Sequence, residues 1–203
     1  MKLIDQPLAP NPRRVRIFLA EKGITLPTEL VDLGKLEHRT AEFAAWNPLQ
    51  QVPVLILDDG TAISESVAIC RYFEEQQPDP PLFGRDTMGR VLVEMWQRRM
   101  ELALLFRIAQ CFRHSHPAMA ELEKPQIKEW AEANRPRVLK VLAWLDEELA
   151  GRHYIAGDEF SIADITGLVA IDFMKRARIE RPGELKNLAR WHEEVSSRPS
   201  ASA

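Results

Sequence analysis

Cysteine is scarce in this chain. Only Cys70 and Cys111 stand among 203 residues, and neither has a partner at metal-binding spacing, so a disulfide scaffold and a cysteine-held metal are excluded. Both fall at helical positions, where a thiol serves as a small buried filler. Charge of neither sign prevails: 27 Lys and Arg stand against 30 Asp and Glu, a formal balance of −3. That balance offers no clustered basic surface for nucleic acid or for an anionic membrane, and small neutral or zwitterionic partners suit it better. Long apolar runs are also absent. The longest stretch free of Asp, Glu, Lys and Arg runs from Phe43 to Leu57, too short to cross a bilayer and broken by Asn47, Pro48, Gln50, Gln51 and Pro53. The amino terminus, Met1-Lys2-Leu3-Ile4-Asp5, lacks an apolar secretory core, so a reducing cytoplasm is the expected setting.

Several catalytic motifs are missing as well. No G-x-S-x-G or G-x-G-x-x-G occurs, and Gly84 and Gly89, though spaced like a phosphate loop, are followed by Arg90-Val91 where Lys and Ser or Thr are required. His114 and His116 point to different faces of a helix and find no third ligand in His153 or His192, so no metal is predicted.

What is present is a chain that is 45% hydrophobic, enough for a sizeable core. Up to about residue 76 short apolar runs alternate with short helical patterns. The spacing predicts strands near Lys2-Asp5, Thr28-Leu33, Val54-Leu57 and Ala62-Ile63, and helices over Pro12-Lys22, Thr40-Ala45 and Ser64-Glu75, in the order β-α-β-α-β-β-α. Gln77-Pro78-Asp79-Pro80-Pro81 is a stiff breaker suited to a linker. Beyond it only helices are predicted, over 87–115, around Val138-Leu142-Leu145-Leu149, and over 161–177 and 184–197. Ser161-Ile162-Ala163-Asp164 fits a capping box. The expected division is an α/β domain at 1–77, a linker at 78–84 and an all-helical domain at 85–203.

Three places carry candidate chemistry. Pro53 opens an apolar run and reads either as a plain strand start or as a cis Val52-Pro53 bond that turns the Val52 backbone outward to pair with a peptide. Ser64-Glu65-Ser66 precedes a helix, whose free N–H groups attract a carboxylate. Ser66 can donate to that carboxylate while Glu65 meets an ammonium, although capping by Ser64 explains the same residues. Asn11-Pro12 suits a helix N-cap, yet Arg13, Arg14 and Arg16 crowd the positive end of that helix and call for a nearby anion. The Asn11 NH₂ can donate to a thiolate.

These residues resemble the cytosolic glutathione transferases, specifically bacterial members near the theta, zeta and nu-like classes. The resemblance rests on Ala9-Pro10-Asn11-Pro12-Arg13-Arg14-Val15-Arg16 with Glu21-Lys22-Gly23-Ile24, on Asn47-Pro48-Leu49-Gln50-Gln51-Val52-Pro53, on Ser64-Glu65-Ser66-Val67-Ala68-Ile69, and on Phe160-Ser161-Ile162-Ala163-Asp164. It implies an α/β thioredoxin-like N-terminal domain that binds glutathione, an all-α helical C-terminal domain that shapes an electrophile pocket, and a homodimer. Carried over, Glu65 and Ser66 hold the γ-glutamyl end, Val52 pairs with the cysteinyl unit, Gln51 lines the groove, and His38 faces the glycine carboxylate or is simply an exposed polar residue. Where many relatives have a serine or cysteine against the sulfur this chain has Ala9, which leaves Asn11 to stabilise the thiolate. The implied activity is attack of the glutathione thiolate on small electrophiles, with glutathione-dependent disulfide or peroxide reduction as a variant. A fold that binds partners without catalysis is the alternative that Ala9 keeps open. Met100, Leu104, Arg107 and Cys111 share one helical face and are candidates for the electrophile pocket.

Overall fold

A computed structural model describes all residues from Met1 to Ala203, and the chain divides into two compact units, Met1–Leu82 with Ser202–Ala203, and Phe83–Ala201. The first unit runs β1 (Lys2–Asp5), α1 (Pro10–Glu21), β2 (Thr28–Leu30), α2 (Ala41–Trp46), β3 (Val54–Ile56), β4 (Ala62–Ser64) and α3 (Ser66–Gln76). This is the order that the sequence pattern predicts. The strands form one sheet in the order β2-β1-β3-β4, with β1 and β2 parallel and the other two pairings antiparallel. Ile4, Val54 and Ile56 bury one face against Val31 and Phe43. Strand alternation sends Leu3 and Leu55 to the opposite face, and α1 and α3, which pack on each other, supply buried Val15, Phe18, Ile69 and Phe73.

The join between α3 and the proline-rich segment is held by a buried cation. The Lys22 side chain, with no exposed surface, lies 2.6 Å from Glu74 Oε2 and donates to the carbonyls of Gln77, Pro78 and Pro80. A charge removed from water needs this many partners to be tolerated.

The second unit contains α4 (Thr87–Arg98), α5 (Phe106–Ser115), α6 (Lys128–Leu149), α7 (Ile162–Met174) and α8 (Lys186–Ser196). Its approach to α4 depends on Gly84, at φ 92°, where a Cβ would lie 2.5 Å from the Gly89 backbone. The glycine pair that mimics a phosphate loop in sequence is thus a close backbone crossing. Between α4 and α5 the chain continues as a π-helical stretch, Arg99–Leu105, in which the Phe106 N–H reaches back to the carbonyl of Glu101. The single predicted helix over 87–115 is therefore interrupted by a wider turn, which changes the rotation of every side chain beyond it. Val138, Leu142, Leu145 and Leu149 of α6 are fully buried, as their spacing predicts.

The capping box on α7 ties this unit together. The fully buried Asp164 carboxylate accepts from Ser161 N at 3.0 Å and Ser161 Oγ at 3.0 Å, from Ile155 N at 2.8 Å, and from Trp191 Nε1 of α8 at 2.9 Å. Burial raises this carboxyl to about 6 while its four donors pull it down, so it is still an anion at neutral pH. Asp164→Ala strands these donors and should lower stability by about 3 to 5 kcal/mol in urea unfolding. Because the folded value lies above that of the unfolded chain, the contribution of Asp164 is fullest in acid and declines as pH rises toward and past about 6. The stability difference between wild type and Asp164→Asn, followed from about pH 4 to pH 7, should show this decline in the wild type alone.

Candidate active site

One row of strand pairing gathers the candidate residues of the first unit. Ile4 pairs with Val54, and Val54 pairs with Ser64. The turn after β1 that leads to α1, the Val52-Pro53 approach to β3, and the Glu65-Ser66 step into α3 therefore leave the sheet at the same end. The segments that carry Asn11, Val52, Glu65 and Ser66 thus share one end of the sheet although they are distant in sequence.

The start of α1 differs from the expected asparagine cap. The N-cap is Ala9, which makes no side-chain capping bond, Pro10 is the first helical residue, and Asn11 is the second and is exposed. Pro10 and Pro12 have no N–H, and the Arg13 N–H is spent on the Ala9 carbonyl at 3.3 Å. Asn11 thus supplies the only free main-chain donor of the first turn together with its own unbonded amide, both at the positive end of the helix. The arginines that crowd this end are accounted for in part. Arg16 Nη1 bridges both carboxylate oxygens of buried Asp5, at 2.7 and 2.9 Å, and its Nη2 donates to the Pro7 carbonyl at 3.0 Å, which pins the β1–α1 turn.

At the second edge the Val52-Pro53 bond is cis, and the N–H and C=O of Val52 make no hydrogen bond. The preceding loop is organised by Asn47, a buried residue that the motif contains but whose role sequence reasoning did not assign. Its Nδ2 donates to the Gln51 carbonyl at 2.8 Å and its Oδ1 accepts from Leu49 N at 3.1 Å. An asparagine before proline is a turn signal, which is the clue the sequence did contain. Gln51 itself is exposed.

At the third edge Glu65, not Ser64, occupies the N-cap of α3, with φ 67°. A non-glycine residue held in this region costs on the order of 1 to 3 kcal/mol, a strain that clusters at functional sites. Its carboxylate is exposed. Ser66 is the first helical residue and is buried, and its Oγ accepts a 2.8 Å hydrogen bond from Arg14 Nη1.

His38 is not the exposed polar residue that one reading expects. It lies in a 3₁₀ turn, Glu37–Arg39, 4% exposed and edge-on to Phe43, and its Nδ1 is buried without a partner. Burial and then the neighbouring Arg39 charge lower its pKa, so the ring is neutral at physiological pH. In the helical unit Met100, Leu104 and Cys111 have no exposed surface. These three candidates for an electrophile pocket lie in the interior, where Cys111 Sγ donates to the Ala131 carbonyl. Arg107 is half-buried, with a buried Nε.

A family model of the glutathione S-transferase N-terminal domain matches residues 9–76, and one of the glutathione S-transferase C-terminal domain matches residues 96–199. The chain belongs to the glutathione S-transferase family. Glutathione S-transferase 2 of Saccharomyces cerevisiae is 38% identical over 203 residues, spanning 98% of this chain and 87% of the yeast protein. Among solved structures, a glutathione S-transferase domain-containing protein from Marinobacter aquaeolei is 38% identical with TM-score 0.95, covering 98% of this chain and 99% of that one. Gtt2 from Saccharomyces cerevisiae is 37% identical with TM-score 0.95, covering 100% and 99%. The family's two domains correspond to the α/β thioredoxin-like and helical halves described above.

Asn47→Ala removes both bonds that shape the Leu49–Gln51 loop, so unfolding free energy should fall by about 1 to 3 kcal/mol, and the Gln50 amide should gain hydrogen-exchange rate before global opening.

Proposed function

We propose that the protein binds glutathione along the Val52, Glu65 and Ser66 edge and presents its thiolate to Asn11, for attack on small electrophiles. The observation that carries this reading is the start of α1, where proline has removed competing donors and Asn11 alone remains to meet an anion. The γ-glutamyl ammonium pairs with the exposed Glu65 carboxylate, its carboxylate with Ser66 and the N-terminus of α3, and the cysteinyl backbone with Val52 as an added strand. Gln51 lines the groove, and the glycine carboxylate faces the His38–Arg39 turn. These residues fit the tripeptide: Val52 has an unpaired donor and acceptor, and Ser66 has a hydroxyl proton with no acceptor of its own.

A free thiol of pKa about 8.5 is only a few per cent ionised at neutral pH, and the thiolate is the nucleophile. An amide donor and a helix N-terminus each favour the anion by about 1 kcal/mol, near one pKa unit apiece. The thiol proton leaves to solvent, the sulfur forms its bond to the electrophile, and the leaving group departs with the displaced electron pair. Ala9 contributes nothing to the sulfur, so Asn11 defines the activation. The α1 motif supports a place near theta-, zeta- and nu-like members.

A second copy of the chain completes the assembly in this reading. Met88, Val91, Leu92, Leu102 and Phe106 leave apolar surface exposed along α4, the π-helical turn and α5, an arrangement that a homodimer would cover. No helix is long and apolar enough to cross a membrane.

Asn11→Ala should raise the pKa of bound glutathione by about one unit, read from thiolate absorbance, and lower kcat/KM at neutral pH by roughly tenfold. If both quantities stay at their wild-type values, the assignment of Asn11 fails. Phe106→Glu should shift the sedimentation coefficient to that of a monomer, and an unchanged value would remove this face from the interface.

A further inference from the structure

Arg14 is the largest buried cation in α1. It is completely withdrawn from solvent, and it sits on the helix that carries Asn11, yet its Nη1 reaches across to α3 and donates to Ser66 Oγ at 2.8 Å. A guanidinium has only donors. Ser66 Oγ must therefore act as acceptor toward Arg14, and its single hydroxyl proton is left to point elsewhere. Ser66 donates to no other group of the protein. It also stands at the first helical position of α3, where the main-chain N–H groups of the first turn face the same direction.

We propose that Arg14 is a positioning residue for the carboxylate of the γ-glutamyl group: by occupying one of the two lone pairs of Ser66 Oγ it orients that hydroxyl to donate to the ligand, and it places a fixed positive charge behind the N-terminus of α3. This rests on the reading that the γ-glutamyl end lies at Glu65 and Ser66. A serine without such a partner can turn its hydroxyl inward to a main-chain carbonyl or accept from the ligand ammonium, so its affinity for a carboxylate is diluted over rotamers. Arg14 takes one of the two acceptor sites and repels an incoming ammonium, which weights the hydroxyl toward donation. Arginine suits this task because it stays protonated when buried, whereas a buried lysine would lose its proton more readily. The effect is selective for one charge of the zwitterion. Arg14 discriminates against ligands that lack the α-carboxylate and has no influence on the cysteinyl and glycyl portions.

The test compares two ligands by titration calorimetry: glutathione, and γ-aminobutyryl-cysteinyl-glycine, which lacks only the α-carboxylate. Wild type should bind glutathione more tightly. Arg14→Met should reduce this preference roughly tenfold while the affinity for the carboxylate-free peptide changes by less than about twofold. Ser66→Ala should have the same effect, and the double variant should lose no more than either single one. Arg14→Gln, a milder change that keeps an N–H for Ser66 but no charge, covers the case in which the methionine variant does not fold and should lose at least about threefold of the preference. An equal loss for both ligands in the Arg14 variants would make the residue merely structural and overturn the proposal, as would full retention of the preference. The two layers separate cleanly. If Ser66→Ala abolishes the preference and Arg14→Met keeps it, the γ-glutamyl placement stands and the role of Arg14 falls. If wild type binds both peptides alike, the placement and the proposal fall together.

Discussion

The pairing of Ile4 with Val54 and of Val54 with Ser64 is the constraint on which the site depends. Strand register has a period of two, so a slip of one residue in β3 would turn Val54 and Ile56 away from Val31 and Phe43 and expose them. The apolar face thereby locks the register. The register in turn decides that the start of α1, the Val52 edge and the start of α3 share one end of the sheet. Hydrophobic burial, which has no direction of its own, becomes directional through the hydrogen-bonded ladder. Three segments distant in sequence are thus brought to one end of the sheet by packing that involves none of their polar side chains.

Buried charge supplies the finer positioning. Arg16 and Asp5 clamp the turn ahead of Asn11, Arg14 reaches Ser66, Lys22 secures the proline-rich segment after α3, and Asp164 joins α7 to α8 through the Trp191 indole. Taking such ions out of water is costly, and Lys22 and Asp164 are each matched by several donors or acceptors, which is the condition under which such groups survive in an interior. Matched ions are geometrically exacting where apolar contacts are forgiving. The polar network therefore fixes positions that the core alone would leave loose.

The helical unit shows how a local irregularity redirects side chains. A regular helix over 87–115 would align Met100, Leu104, Arg107 and Cys111 as one stripe, and their common burial, apart from Arg107, confirms that they face one way. The direction is inward. Leu102 and Phe106, on the opposite side, are exposed, and nothing in the local composition signals the extra residue of the π-helical turn at Arg99–Leu105. Gly84 and Gly89 make a similar point: their spacing is visible, but the 2.5 Å clearance that requires Gly84 exists only once the backbone folds back on itself.

By itself the sequence determined the two-part architecture, the β-α-β-α-β-β-α order, the capping box at Ser161 and Asp164, and the motifs that identify the family. All of these are written in near-neighbour terms, as periodicity, turn chemistry and capping that act over a few residues. The candidate site was legible as a set of residues but not as an arrangement. Only the tertiary structure decided that Ala9 rather than Asn11 caps α1, that Glu65 takes a left-handed backbone at the head of α3, that His38 is buried and neutral, that Arg14 reaches Ser66, that Arg16 clasps Asp5, and that Asn47 shapes the loop before Val52. Some of these are backbone choices between near-equivalent local caps and turns, and others depend on partners across the fold; a pairing between positions as far apart as Arg14 and Ser66 has no local signature for a single sequence to display.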